Sequence, residues 1–209
     1  EIAGALFAQS PGALEPYRFI LAAMRAGERY NAEMIQRRAI GLVADGERVT
    51  GVHLENGTIN AGIVVLAMGP WTGLASEWCG VDIPVTPLKG QILRLRTLHD
   101  PLKLSVNYSH SYAASKPDGL IWAGTTEEES GFDNSPNSLA RDSIMADLLK
   151  MIPGMTDAEL LQQTACLRPL SGDGMPIVDK IKDWDNLYVA TGAGRKGILW
   201  STGMAQVLF

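Results

Sequence analysis

Near its C-terminus the chain reads NLYVATGAGRKGILWSTG (186–203): a short apolar run, a cluster of glycines and a second apolar stretch. Gly192, Gly194 and Gly197 have the G-x-G-x-x-G spacing that lets backbone approach a phosphate at a helix start. A complete fingerprint of this kind opens a βαβ unit of about 30 residues, with an acidic ribose ligand about 20 positions further on. The sequence stops at Phe209, so the expectation here is a buried strand, a glycine turn and a helix start, without the ribose-binding half. A second stretch has the same grammar. Residues 63–67 are continuously apolar, as in a strand buried on both faces, and Gly69 then turns the chain into WTGLASEWCG. Two such units predict an α/β layer whose strand ends gather around a ligand.

Between them the pattern changes. PVTPLKGQILRLR, LSVNYSH, SYAASK and LIWAGTT alternate with turn residues and no helix intervenes, which predicts an antiparallel sheet. A helix follows, capped by Asn137 or Ser138, with Ile144, Leu148 and Ile152 along one side. This stretch reads as a second domain inserted into the first. Upstream, residues 1–8 read as a strand ending in a turn at Ser10, Pro11 and Gly12. A helix is expected from Pro16 to about Asn31, on the spacing of Ile20, Ala23, Met24 and Gly27. Further strands are expected over EMIQRR, AIGLVADGERVTGVHLENG and TINAGIVVLAMG, broken at Asp45-Gly46 and Asn56-Gly57. His53 should face water on one of them.

Charge excludes some partners. Eighteen basic and 23 acidic residues, interspersed, give a net charge of −5 and no basic patch for nucleic acid or an anionic membrane surface. No apolar run approaches the length of a membrane span. With no such run and no signal-like N-terminal stretch, the expected location is cytoplasmic; Cys79 and Cys166 have no C-x-x-C spacing and are read as reduced. The acidic run Glu127-Glu128-Glu129 is read as a solvated loop, and no metal site is expected.

Two arginines stand out for chemistry. Arg168 precedes Pro169, which biases it to extended backbone, and an arginine fixed there is suited to clamp a carboxylate or to form a structural ion pair. Arg195 projects from the glycine turn, where a helix start stabilises negative charge. From the residues alone, the kind of anion stays open.

Taken together, YRFILAAMRAGERYNAEM, ERVTGVHLENGTINAGIVVLAMGPWTG, PVTPLKGQILRLR, SYAASKPDGLIWAGTTEEESGFD, LRPLSGDGMPIV and GAGRKGIL resemble, in order, the D-amino acid oxidase family and within it the glycine oxidases. The resemblance implies FAD as cofactor and oxidation of an amino-acid or amine C–N bond, by hydride transfer to flavin, to an imine that is then hydrolysed. It implies a mixed α/β and α+β fold, a partial FAD-binding domain of the glutathione-reductase type with an inserted antiparallel substrate domain. The family's N-terminal nucleotide-binding βαβ is missing from this sequence. The implied division is residues 1–13 as the end of a substrate-domain strand, 14–83 and 167–209 as parts of the FAD domain, and 84–166 as the substrate domain. Arg168 resembles the arginine that grips the substrate carboxylate, Tyr112 the tyrosine that assists it, and Arg195 the arginine beside the flavin, facing substrate. Gly194, Lys196, Gly197, Ile198 and Leu199 resemble its flavin contacts, Gly69 and Trp71 a second flavin-side turn, and Ala39 a position lining the adenine. No residue is assigned as a catalytic acid or base. The family has asparagine where this chain has Lys196, and glycine at Cys166 and Asp179. A small amino acid is the expected substrate, and a homo-oligomer or partner chain is expected to cover the exposed strand edges. Competing expectations are a dehydrogenase passing electrons to a quinone, and a non-catalytic assembly chain that keeps the fold remnant.

Overall fold

The computed structural model describes residues 4–7 and 14–208, in two units, Glu1–Gln36 and Arg37–Phe209. In the first, helix α1 spans Pro16–Glu28. Glu15 caps it, its carboxylate accepting from the backbone N–H groups of Tyr17 (3.2 Å) and Arg18 (2.6 Å). Pro16 takes the first helical position, where a missing N–H costs nothing. Residues 4–7 have no regular structure. The rest of the expected first strand, and its turn, lie outside the described residues.

The second unit opens with strands β1 (Ala39–Asp45), β2 (Arg48–Leu54) and β3 (Gly57–Asn60), an antiparallel sheet turned at the two expected dipeptides. His53 is exposed on β2, as expected, and lies 3.2 Å from the Thr58 hydroxyl. EMIQRR is irregular chain instead of a strand. Its two large apolar residues, Met34 and Ile35, are adjacent, so an extended chain would point them to opposite faces; both are exposed.

Strand β4 (Val64–Leu66) leads through Gly69, at φ +57°, into a 3-10 helix over Gly69–Ala75 and helix α2 (Ser76–Cys79). Then come β5 (Val85–Arg96), β6 (Val106–Tyr108), β7 (Ser111–Ser115), β8 (Ile121–Gly124), helix α3 (Ser138–Met151) and β9 (Glu159–Ser171). Asn137 caps α3 by accepting from Ala140 N–H at 2.8 Å. The chain ends with β10 (Ile177–Lys180), β11 (Leu187–Thr191) and helix α4 (Gly197–Leu208). Strand β9 runs unbroken across residues 166 and 167, where the sequence suggested a change of domain.

β4 and β11 pair in parallel, Val64 opposite Leu187, and β10 flanks β11. The expectation that residues 63–67 are buried on both faces fails. Val64 and Leu66 join a core with Ile83, Val85, Ile181 and Val189, whereas Ile63 (62% exposed) and Val65 (37%) alternate outward onto a partly open face. Buried Asn186 ties this sheet to the first one. Its side chain accepts from Val49 N–H (2.9 Å) and donates to the Val49 (2.7 Å) and Gly62 (2.6 Å) carbonyls.

Candidate active site

The antiparallel prediction is met by a five-stranded sheet in the order β6-β7-β8-β5-β9. Its two faces differ. Leu93, Leu95, Ala113, Ile121 and Ala123 point to one side and pack with Ile144 and Leu148 of α3. On the other side the period of two gathers Gly90, Ile92, Tyr112, Gly124, Cys166 and Arg168, through the pairs Gly90–Cys166, Leu88–Arg168, Ile92–Gly124 and Tyr112–Gly124.

Two glycines hollow out this face. A Cβ at Gly90 would fall inside the Arg168 guanidinium, so the arginine head lies in the volume a side chain would take. A Cβ at Gly124 would come within 2.8 Å of Ile92 Cγ2 and 3.4 Å of Tyr112 Cε1. Seated over Gly90, Arg168 donates from Nη2 to the Thr125 hydroxyl (2.9 Å) and from Nη1 toward the Thr126 carbonyl (3.4 Å). Tyr112 is half-buried; burial raises its hydroxyl pKa, against a smaller opposing pull from Arg168. It therefore stays a neutral phenol, a hydrogen-bond donor beside a cation.

The glycine turn reaches this face from the other sheet. Gly192 (φ +75°) and Gly194 (φ +51°) bend the chain so that Ala193 pairs with Leu170 of β9. Arg195 then meets Glu127 in a two-pronged ion pair, Nη2 to Oε2 at 2.9 Å and Nε to Oε1. Arg168 and Arg195 thus end on one short segment, residues 125–127. The first turn is locked to the second, since the Gly69 carbonyl accepts from the hydroxyls of Thr72 (2.8 Å) and Thr191 (3.1 Å).

The acidic run is only in part the solvated loop expected of it: Glu127 and Glu129 are exposed, but Glu127 and Glu128 are also engaged by residues from distant elements. Burial would raise the Glu128 carboxyl, but hydrogen bonds from Thr126, Gln91 and Asn137, together with the Lys89 charge, outweigh it and hold the group below its ordinary value. Lys89, 2% exposed, lies 3.8 Å from Glu128 and 2.9 Å from Asp133, whose carboxyl is pulled down to about 2, first by Lys89 and then by the Ser135 N–H. Phe132, in the same loop, stacks on Trp71 with centroids 6.2 Å apart. One loop, residues 125–133, therefore touches both arginines and the first glycine turn. Sequence reasoning missed its role, and with it Lys89 and Gly90. The available signal was Lys89-Gly90-Gln91, where two polar residues and a glycine stand together between Leu88 and Ile92 of the strand.

Of the other expected site residues, Lys196 leans over the Trp200 ring at 5.2 Å, Trp71 and Leu199 are exposed, and Gly197 and Ile198 begin α4. Ala39 stands apart, opening β1 opposite Leu54.

All 209 residues match the model of the family described as FAD dependent oxidoreductase (DAO). The chain belongs to this family. A glycine oxidase of Pseudomonas aeruginosa is 33% identical over 179 residues, 85% of this chain and 49% of that protein. A D-amino acid dehydrogenase of Paramagnetospirillum magneticum is 27% identical, covering 100% of this chain and 50% of its own. The solved glycine oxidase of Bacillus cereus superposes with a TM-score of 0.77 at 26% identity, over 83% of this chain and 48% of that one. The chain thus spans about half the length of the curated relatives it matches.

FAD is the family's cofactor, and the glycine turns fit one. A Cβ at Gly69 would meet nothing within 4 Å and one at Gly194 nothing closer than 3.9 Å, which leaves backbone open to a flat ring. The start of α4 offers N–H groups and a positive dipole end, and Trp71 and Leu199 offer exposed apolar surface. No helix among the described residues is long and apolar enough to cross a membrane.

Proposed function

We propose that the chain forms the substrate side and part of the flavin side of an FAD-dependent oxidoreductase that acts on the C–N bond of a small amino acid or secondary amine. The observation that carries this is Arg168: a cation on an extended strand, seated over a glycine and bonded to neutral oxygens, beside a neutral tyrosine. Such a group has donors to spare for a carboxylate. FAD, when bound, would supply the acceptor for the hydride that leaves the substrate carbon. The chain's own residues bind and orient: Arg168 takes the carboxylate, Tyr112 donates a hydrogen bond to it, and Gly69 with the Gly194–Leu199 segment holds the ring's position. Positioning of this kind supplies much of the rate in hydride transfer. The apolar face of β4 is covered, on this reading, by further chain or by a partner.

The test is anaerobic mixing of the holoenzyme with a panel of glycine, sarcosine and D-amino acids while flavin absorbance is followed. Bleaching by at least one of them is expected; no bleaching by any would remove the reading. A second reading, a dehydrogenase that passes electrons to a quinone, is supported by the match of the whole of this chain to half of a D-amino acid dehydrogenase. Aerobic turnover separates the two, because only an oxidase forms peroxide in step with substrate loss.

A further inference from the structure

The period of two that puts Gly90 and Ile92 on the open face of the five-stranded sheet puts Arg94 there as well, opposite Gln162 on one side and Trp122 on the other. Its guanidinium lies over the Trp122 ring, 4.5 Å from the centroid, and Nη1 donates to the Gln162 side-chain carbonyl at 2.6 Å. Nε is buried without a partner. Like Arg168, Arg94 therefore rests on a neutral acceptor and keeps its charge and most of its donors for something else. Lys116, just past β7, stands over the same ring at 5.4 Å. None of these three cations has a carboxylate partner among the described residues. The nearby Asp118 accepts instead from the Trp122 indole N–H and the Leu120 N–H, both at 3.0 Å. Three unmatched cations on one concave face attract an anion larger than a single carboxylate.

The spacing suits one molecule bound at both arginines. The Arg168 head lies over Gly90, and Arg94 follows four residues along the same strand, a separation of about 13 Å at about 3.3 Å per residue. Tyr112, paired with Gly124 in the row of Ile92, stands between the two. Burial raises the Tyr112 hydroxyl while Arg168 and Arg94 both pull against it, so one hydroxyl lies in the field of both cations. With about 3 Å taken by each charge-assisted hydrogen bond, roughly 5–7 Å remain between the two sets of acid oxygens. That is the span of succinate or glutarate and more than malonate covers. From this arrangement we infer that Arg94 is a second anion subsite of the open face, and that the substrate class is amino acids or amines with two acid groups, one held at Arg168 and the other at Arg94. The inference rests on the function proposed above and narrows its substrate. Arg94 is only partly buried, so solvent screening keeps the gain modest.

The experiment titrates acetate, malonate, succinate and glutarate into the FAD-loaded holoenzyme and follows flavin absorbance. Succinate or glutarate should bind about tenfold tighter than acetate, and malonate no tighter than acetate. In Arg94→Met, whose side chain still covers the Trp122 ring, the advantage of the longer diacid should vanish while acetate affinity holds. Arg94→Gln repeats the measurement should the methionine variant not accumulate, with the same loss expected. Arg96→Gln removes an equal charge two residues further along, from an exposed ion pair with Glu159 (3.1 Å), and should leave the order of affinities as it is. Three results overturn the inference and leave the proposed reaction standing: diacids no tighter than acetate in the unaltered protein, an advantage that survives the loss of Arg94, or an equal loss in Arg96→Gln. If none of the acids perturbs the flavin and no amino acid bleaches it, the proposed function falls and the inference with it.

Discussion

The two faces of the five-stranded sheet use the same strands to opposite ends. The face toward α3 is filled by Leu93, Leu95, Ala113, Ile121 and Ala123, with Ile144 and Leu148 closing over them. The opposite face is hollowed by Gly90 and Gly124 and carries Arg168 and Tyr112. One face stabilises by filling volume, while the other leaves volume empty of Cβ atoms so that a charged head can lie flat on the sheet. Substitutions on the two faces should therefore fail in different assays.

The largest effect is expected on the packed face. Leu148 is fully buried, and Leu148→Ala should cost about 2–5 kcal/mol in denaturant unfolding through lost burial and a cavity. The folded fraction should keep its affinity for carboxylates. Gly90→Ala is the converse. The atoms it displaces are the flexible end of Arg168, so stability should hold while carboxylate affinity falls by roughly tenfold, about 1.4 kcal/mol. In an Arg168→Ala background the same change should cost nothing more, which a double-mutant cycle would read directly. An additive cycle would mean that Gly90 acts on the sheet and not on the arginine.

What the sequence made legible follows the same divide. The packed face was readable because alternation of apolar residues along a strand is itself the instruction to bury one side. The turns at Asp45-Gly46 and Asn56-Gly57, the α1 start at Pro16 and the α3 cap at Asn137 were readable because each depends on neighbours in the chain. The open face was not. The residues that seat Arg168 are Gly90, 78 positions before it, and Thr125 and Thr126, more than 40 positions before it, and no local pattern links them. Glu127 and Glu128 looked like solvent-facing charge because Arg195, Lys89 and Asn137, which engage them, come from distant elements. The outward exposure of Ile63 and Val65 was hidden for a related reason, since a continuous apolar run does not say which of its faces a given stretch of chain will cover.

A smaller effect should come from the loop that borders both faces. The Glu128 and Asp133 carboxyls are held below their ordinary values in the folded protein. Each therefore contributes stability that is present above its unfolded pKa and is lost as pH falls through the folded one. Unfolding midpoints measured from pH 5 down toward 2 should decline more steeply in the unaltered protein than in Lys89→Met, from which the shared cation has gone. Parallel declines would show that Lys89 does not hold the loop.

Arg168 is the proposed carboxylate clamp of the open face. It is tested most directly by titrating acetate into the FAD-loaded protein and its Arg168→Ala variant and following flavin absorbance. Flavin should stay bound in both, and the variant should lose a few kcal/mol of acetate affinity, about a hundredfold. Equal affinity in the two proteins, or loss of flavin from the variant, would contradict it.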